Sequence, residues 1–189
     1  RGDGRALRRG GGAVSVTAAA GFRASGVAAG LKADGALDVA LVVNDGPQHA
    51  AAAVFTSNRV EAAPVTWSRQ VLADGRVDAV VLNSGGANAC TGPDGFADTH
   101  RTAEHVAEVL GVSAGDVAVC STGLIGDRLP MDLLLAGVDA ASGALDRSGG
   151  EAAAVAIKTT DSVHKQAVRT VGDVTVGGMA KGAGMLAPG

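Results

Sequence analysis

The sequence predicts a single α/β domain, and three observations support that assignment. Short runs of Val, Leu and Ala, such as Leu37–Val43 (LDVALVV) and Val77–Leu82 (VDAVVL), are apolar with little alternation, the pattern of strands buried on both faces. Between such runs lie stretches whose apolar residues recur every three to four positions, the period of a helix. The chain also carries 29 glycines in 189 residues with no fixed period, which excludes collagen-like and low-complexity chains and assigns them to tight connections.

Taken in order, Leu37–Val43 is the first strand, and Asn44-Asp45-Gly46-Pro47 after it is a turn signal. Ala51–Thr56 (AAAVFT) reads as the next strand and Pro64–Leu72 as a short helix. Val77–Leu82 is a buried strand that runs into a loop, 83–95, dense in Gly, Ser and Asn. Phe96, Ala103, Val106, Ala107 and Leu110 then mark a helix over Phe96–Leu110, which Gly111 stops. Val117–Cys120 is a strand; Pro130–Val138 and Glu151–Lys158 are helices, the first with Pro at its start. Lys165–Val171 and Val174–Gly178 flank Gly172-Asp173, a two-residue hairpin signal.

Composition narrows the function. Hydrophobic residues make up 47% and aromatic residues only 2%, with no Tyr, so the core is expected to consist of Ala, Val, Leu and Ile. A net charge of −3 with both signs mixed along the chain argues against nucleic-acid binding, which needs a basic face. Arg5, Arg8 and Arg9 lie in a Gly-rich start and are expected to form a flexible arm over residues 1–20. No apolar run approaches the roughly 18 residues of a membrane-spanning helix. Cys90 and Cys120 are too few for a disulfide framework and lack metal-ligand spacing, and no secretory signal precedes them, so a cytoplasmic setting is expected.

Three segments share one form, a buried strand running into a loop of small residues: Asn83–Gly92 (NSGGANACTG), Cys120–Gly126 (CSTGLIG) and Gly177–Gly184 (GGMAKGAG). Small residues let a ligand approach backbone N–H donors, and strand ends of α/β proteins are where ligands bind. Familiar motifs fail. Gly182-Ala183-Gly184-Met185-Leu186-Ala187 cannot open a helix before Pro188, Lys181 is followed by Gly where a P-loop needs Ser or Thr, and Gly-x-Ser-x-Gly is absent. His49, His100, His105 and His164 show no zinc spacing and read as surface or capping residues. Lys181, between Gly-Met-Ala and Gly-Ala-Gly, is either an exposed loop lysine or a cation that binds a carboxylate or activates a nucleophile. The apolar, loop-like ending Gly-Met-Leu-Ala-Pro-Gly suggests a chain interrupted within its fold.

Six segments in order resemble one family, the bifunctional ornithine acetyltransferases, or glutamate N-acetyltransferases, of arginine biosynthesis. They are Gly21–Gly30 (GFRASGVAAG), Ala53–Val65 (AVFTSNRVEAAPV), Asn83–Gly92, Val119–Asp132 (VCSTGLIGDRLPMD), Lys158–Asp161 (KTTD) and Gly177–Pro188 (GGMAKGAGMLAP). The resemblance implies a precursor that cuts itself before a threonine shortly after Gly189. This chain would then be α, and the new N-terminal Thr of β the nucleophile. It implies a layered α/β sandwich (DmpA/ArgJ-like) over residues 21–189, its sheets shared between α and β, assembled as an α2β2 heterotetramer or larger. Acetyl would pass from N-acetylornithine to glutamate by a ping-pong route without a cofactor, acetyl-CoA being a second candidate donor. By the same resemblance Thr122 and Gly123 stabilise the oxyanion, and Thr159 (or the adjacent Thr160) and Lys181 bind substrate. The family does not use Cys90 or Cys120 as nucleophiles, and both are expected to be small buried packing residues. Gly86 stands where the family pattern has Asn, Gly189 where it has a polar residue, and the Arg-rich start has no counterpart. Two other readings remain: a paralogous acyltransferase or amidohydrolase of secondary metabolism, and a Gly-loop anion-binding module without catalysis.

Overall fold

The computed structural model describes residues 15–183; Arg5, Arg8, Arg9, Gly184 and Gly189 lie outside them. Four strands form a mixed sheet in the order β1-β2-β3-β4. β1 (Phe22–Val27) pairs antiparallel with β2 (Val39–Asn44), β2 antiparallel with β3 (Ala79–Asn83), and β3 parallel with β4 (Val117–Ser121). Helices α1 (Ala63–Val71), α2 (Gly92–Leu110), α3 (Met131–Gly143) and α4 (Gly150–Ala156) surround the sheet. A separate antiparallel hairpin joins β5 (Lys165–Val171) to β6 (Val174–Ala180).

Strand register decides what each face buries. Val39, Leu41 and Val43 align with Ala79, Val81, Val117 and Val119 on one face, where they pack on Ala103, Val106 and Ala107 of α2 and Leu134, Leu135 and Val138 of α3. Ala40 and Val42, on the opposite face, meet Ala153 and Ala156 of α4 together with Ile157. A strand covered on both sides has no reason to alternate, which is why β2 reads as a continuous apolar run. Small residues bring α4 down onto β1: a Cβ at Gly26 would stand 2.1 Å from the Ala152 carbonyl oxygen.

β4 lies at the edge of the sheet, and α1 runs along it. Ser68 Oγ donates to Val119 O at 2.8 Å and accepts the Val119 N–H at 2.9 Å, while Trp67 Nε1 donates to Val117 O at 2.9 Å. Side chains thus occupy backbone groups that would otherwise offer pairing to another strand.

The structure departs from the sequence-based expectations of the fold at several places. Ala51–Thr56 is not a strand: residues 51–58 form no regular structure and pair with none of the described strands, and Val54 is 98% exposed. β1 was unmarked in the sequence because FRASGV mixes Phe, Ala and Val with Arg, Ser and Gly and has no continuous apolar run. α2 starts at Gly92 rather than Phe96, since Pro93 suits a first turn whose N–H groups need no helical partner. Residues 15–20 are no free arm: Ser15 and Thr17 are buried, and a Cβ on Gly177 would meet Ser15 O at 2.1 Å.

Candidate active site

The loops that leave β3 and β4 are tied to each other. Ala87 N donates to Leu124 O at 2.8 Å, Gly126 N to Ala89 O at 2.9 Å, and Thr122 N to Asn83 O at 3.0 Å, while within the first loop Asn83 Nδ2 donates to Gly86 O at 3.0 Å. Asn88, fully buried with φ +46°, latches the first loop to α2: its amide donates to Gly95 O and Thr99 Oγ1, both at 2.8 Å, and its oxygen accepts from Thr91 Oγ1. Gly123 must be glycine here, with φ +139° and only 2.7 Å between a would-be Cβ and Gly86 N. The Asn83–Gly86 bond reaches a backbone oxygen, so the missing Asn side chain at Gly86 leaves it intact.

These loops form one wall of a cleft of about 950 Å³. Thr122 and Gly123 come from the end of β4, Thr159 and Thr160 from the connection after α4, Lys181 and Gly182 from the end of β6, and residues 31–34 from the β1–β2 connection. Lys181 Nζ donates to Thr122 Oγ1 at 2.7 Å, across 59 positions of sequence. Thr122, Gly123, Thr159, Thr160 and Lys181, the residues that the family resemblance assigns to the site, therefore all line one cleft.

Two further residues shape it, and sequence patterns did not single them out. Asp38 is completely buried and accepts the N–H groups of Ala29, Leu31 and Lys32 at 2.6, 2.7 and 2.9 Å. Lys32 lines the cleft and donates to Leu37 O and Lys158 O, both at 2.8 Å, bracing the residue before Thr159. Burial pushes the Lys32 ammonium below the usual lysine range; Asp38 and Asp34 oppose this, and the like charges of Lys158 and Lys181 add to it. Two lysines against Asp34 suit the cleft to an anionic group such as a carboxylate.

The cysteines correct an expectation. Cys90 is exposed with φ +59°, and Cys120 is also solvent-accessible, so neither is a buried packing residue. Cys120 sits on the β4 face beside the irregular 51–55 segment, where an apolar groove of about 420 Å³ stays open and its walls push the thiol pKa up. The histidines lie away from the cleft, beside carboxylates: His49 with Asp78, His100 with Glu104, His105 with Asp139 and His164 with Glu151.

A family model, the ArgJ family, matches residues 23–189. The chain belongs to the ArgJ family. Over 176 residues it is 70% identical to the arginine biosynthesis bifunctional protein ArgJ of Streptomyces coelicolor, covering 93% of this chain and 46% of that protein. The ArgJ protein of Thermobifida fusca is 66% identical over 175 residues, with the same shares covered. The chain thus spans just under half the length of these curated ArgJ relatives. Among solved ArgJ structures, the ornithine acetyltransferase of Mycobacterium tuberculosis, crystallised with ornithine, superposes with a TM-score of 0.91 at 64% identity, covering 94% of this chain and 96% of that one. The ArgJ protein of Bacillus halodurans gives a TM-score of 0.83 at 38% identity, covering 93% of each chain.

Proposed function

We propose that this chain is the α part of an acetyltransferase that moves the acetyl group of N-acetylornithine to glutamate. The observation that carries the reading is the Lys181–Thr122 contact of 2.7 Å, inside a cleft that also takes Gly123, Thr159 and Thr160. The relatives supply the chemistry: curated ArgJ proteins are named as bifunctional enzymes of arginine biosynthesis, and the M. tuberculosis relative is an ornithine acetyltransferase. Those curated sequences are about twice as long as this chain, whereas the crystallised chain matches it almost end to end. This supports a molecule made in one piece and used in two.

In this reading the nucleophile is the N-terminal Thr of a β chain. Its hydroxyl attacks the acetyl carbonyl of N-acetylornithine, and its own α-amino group, with an ordinary pKa of roughly 7.7–8.0, takes the hydroxyl proton. The C–N bond breaks, the proton passes to the leaving amine, and an acetyl ester remains on Thr. The glutamate amine then attacks that ester, the C–O bond breaks, and the hydroxyl is restored. Each tetrahedral oxyanion is met by the Thr122 hydroxyl and the Gly123 N–H. Because the Thr122 N–H is committed to Asn83 O, the hydroxyl is the group of that residue free to turn. Thr159 and Lys181 hold the substrate's polar end. The route takes no cofactor, acetyl-CoA would enter only as an alternative donor, and the setting is the cytoplasm, with α and β assembled as α2β2 or larger.

The test is intact mass spectrometry of the co-expressed α and β chains after exposure to N-acetylornithine. One acetyl group on β, removable by glutamate, is expected. Acetylation of Cys90 or Cys120, or none on either chain, would refute the mechanism.

A further inference from the structure

The Lys181 ammonium sits on the segment that leaves β6, just after Met179, which packs against the Ala40 and Val42 face of the main sheet. It follows β6, whose hairpin leaves Val171, Val174 and Val176 exposed, and it precedes Gly182, which has φ +137°. One ion pair grips that glycine through both of its backbone groups. Asp161 Oδ1 accepts the Gly182 N–H at 2.8 Å, and Lys165 Nζ donates to the Gly182 carbonyl at 2.7 Å. Lys165 Nζ also donates to Asp161 Oδ1, closing a three-membered arrangement. The Asp161 side chain is only 1% exposed, and the Lys165 ammonium, aided by the Gly182 N–H, holds its carboxyl down to about 2. Asp161 follows Thr159 and Thr160 directly in sequence, so the clamp joins two segments that line the cleft, 159–160 and 181–182.

We propose that Asp161 and Lys165 are positioning residues of the cleft, whose ion pair grips Gly182 and so sets where the Lys181 ammonium stands against Thr122 and Thr159. The proposal rests on the reading of this cleft as the acetyl-transfer site. Lysine side chains have many rotamers, and a neighbouring glycine adds backbone freedom. Holding both the N–H and the C=O of that glycine removes the backbone share of this freedom. Misplacement of a substrate-orienting group by about 1 Å is enough to slow an enzyme on the order of 100-fold.

The test compares the processed α–β enzyme with Asp161→Asn, Lys165→Met, Lys165→Arg and the Asp161→Asn/Lys165→Met double variant. Lys165 is half exposed, so Lys165→Met carries the test if the buried Asp161 variant fails to mature. Two readouts are needed. Hydrogen exchange over residues 176–183 is expected to speed at least about tenfold in Lys165→Met and Asp161→Asn, with the main sheet unchanged. The rate of acetyl transfer is expected to fall roughly 10- to 100-fold in both, with most of it recovered in Lys165→Arg. The double variant should lose no more than the worse single one, because the pair acts as a unit. Unchanged exchange would overturn the clamp, and faster exchange with a wild-type rate would overturn its positioning role. A wild-type enzyme that transfers no acetyl would instead refute the reading of the cleft, which the exchange readout alone does not address.

Discussion

Thr122 directs its polar groups two ways. Its N–H donates to Asn83 O and anchors the loop; its hydroxyl accepts from Lys181 at 2.7 Å and keeps its own hydrogen to donate. If Thr122 has the proposed oxyanion role, Thr122→Val, which keeps the shape and removes the hydroxyl, is expected to cost the assembled enzyme on the order of 100-fold in transfer rate, the usual effect of losing one oxyanion donor. Steady-state kinetics with N-acetylornithine would check this, and Thr122→Ser should retain most of the rate. Lys181→Ala is expected to impair transfer comparably while urea unfolding stays unchanged, since a half-buried loop lysine adds little to a core. Asp38 is the opposite case. It satisfies three N–H groups from a fully buried position, so Asp38→Ala should lower stability by about 3 kcal/mol through the donors it orphans, as measured by urea unfolding.

At the scale of elements, two attachments govern the site. The first is the edge of β4, where Ser68 supplies both a donor and an acceptor to Val119. Ser68→Ala is expected to cost about 2 kcal/mol in denaturant unfolding, because two buried backbone groups then lose their partner. The second is the hairpin end at Asp161. Its carboxyl titrates at about 2 in the fold against an ordinary 3.8. A depressed folded pKa means that the contribution is complete above about pH 4 and is lost as pH falls through about 2. Hydrogen exchange of the 176–183 segment should thus be pH-independent, after correction for intrinsic rates, from neutral down to about pH 5 and accelerate below about pH 4. The Asp161→Asn variant should show no such break.

For the whole molecule, the distribution of exposed apolar residues is the telling feature. Val54 is 98% exposed, and Val171, Val174 and Val176 are each more than 60% exposed on a two-stranded hairpin, an arrangement that is only marginally stable in water without cover. The proposed β chain is expected to provide that cover. Expressed alone, this chain should self-associate in light scattering, whereas co-expression with β should yield one discrete heteromeric species. A monodisperse, stable monomer of the isolated chain would count against the two-chain assembly.

Much of this was legible in the sequence. Continuous apolar runs marked β2, β3 and β4, helical periodicity marked α2, and Gly172-Asp173 marked the β5–β6 turn, because burial and backbone geometry are written into local residue order. The small-residue loops at Thr122-Gly123 and around Lys181 stood out for the same reason. Other features depend on residues far apart in the chain, and local patterns carry no record of them. Partner strands decide whether an apolar stretch forms a strand, so AAAVFT looked like one and is not, while FRASGV did not and is β1. Only packing placed Lys181 on Thr122 across 59 positions, put Asp38 beneath the residues flanking Lys32, and closed Asp161 and Lys165 around Gly182. Sequence determined the parts and the loops that could do chemistry. Tertiary structure decided which of them meet, because contact between distant segments is set by sheet register and helix docking, and those are settled only when the chain buries its core.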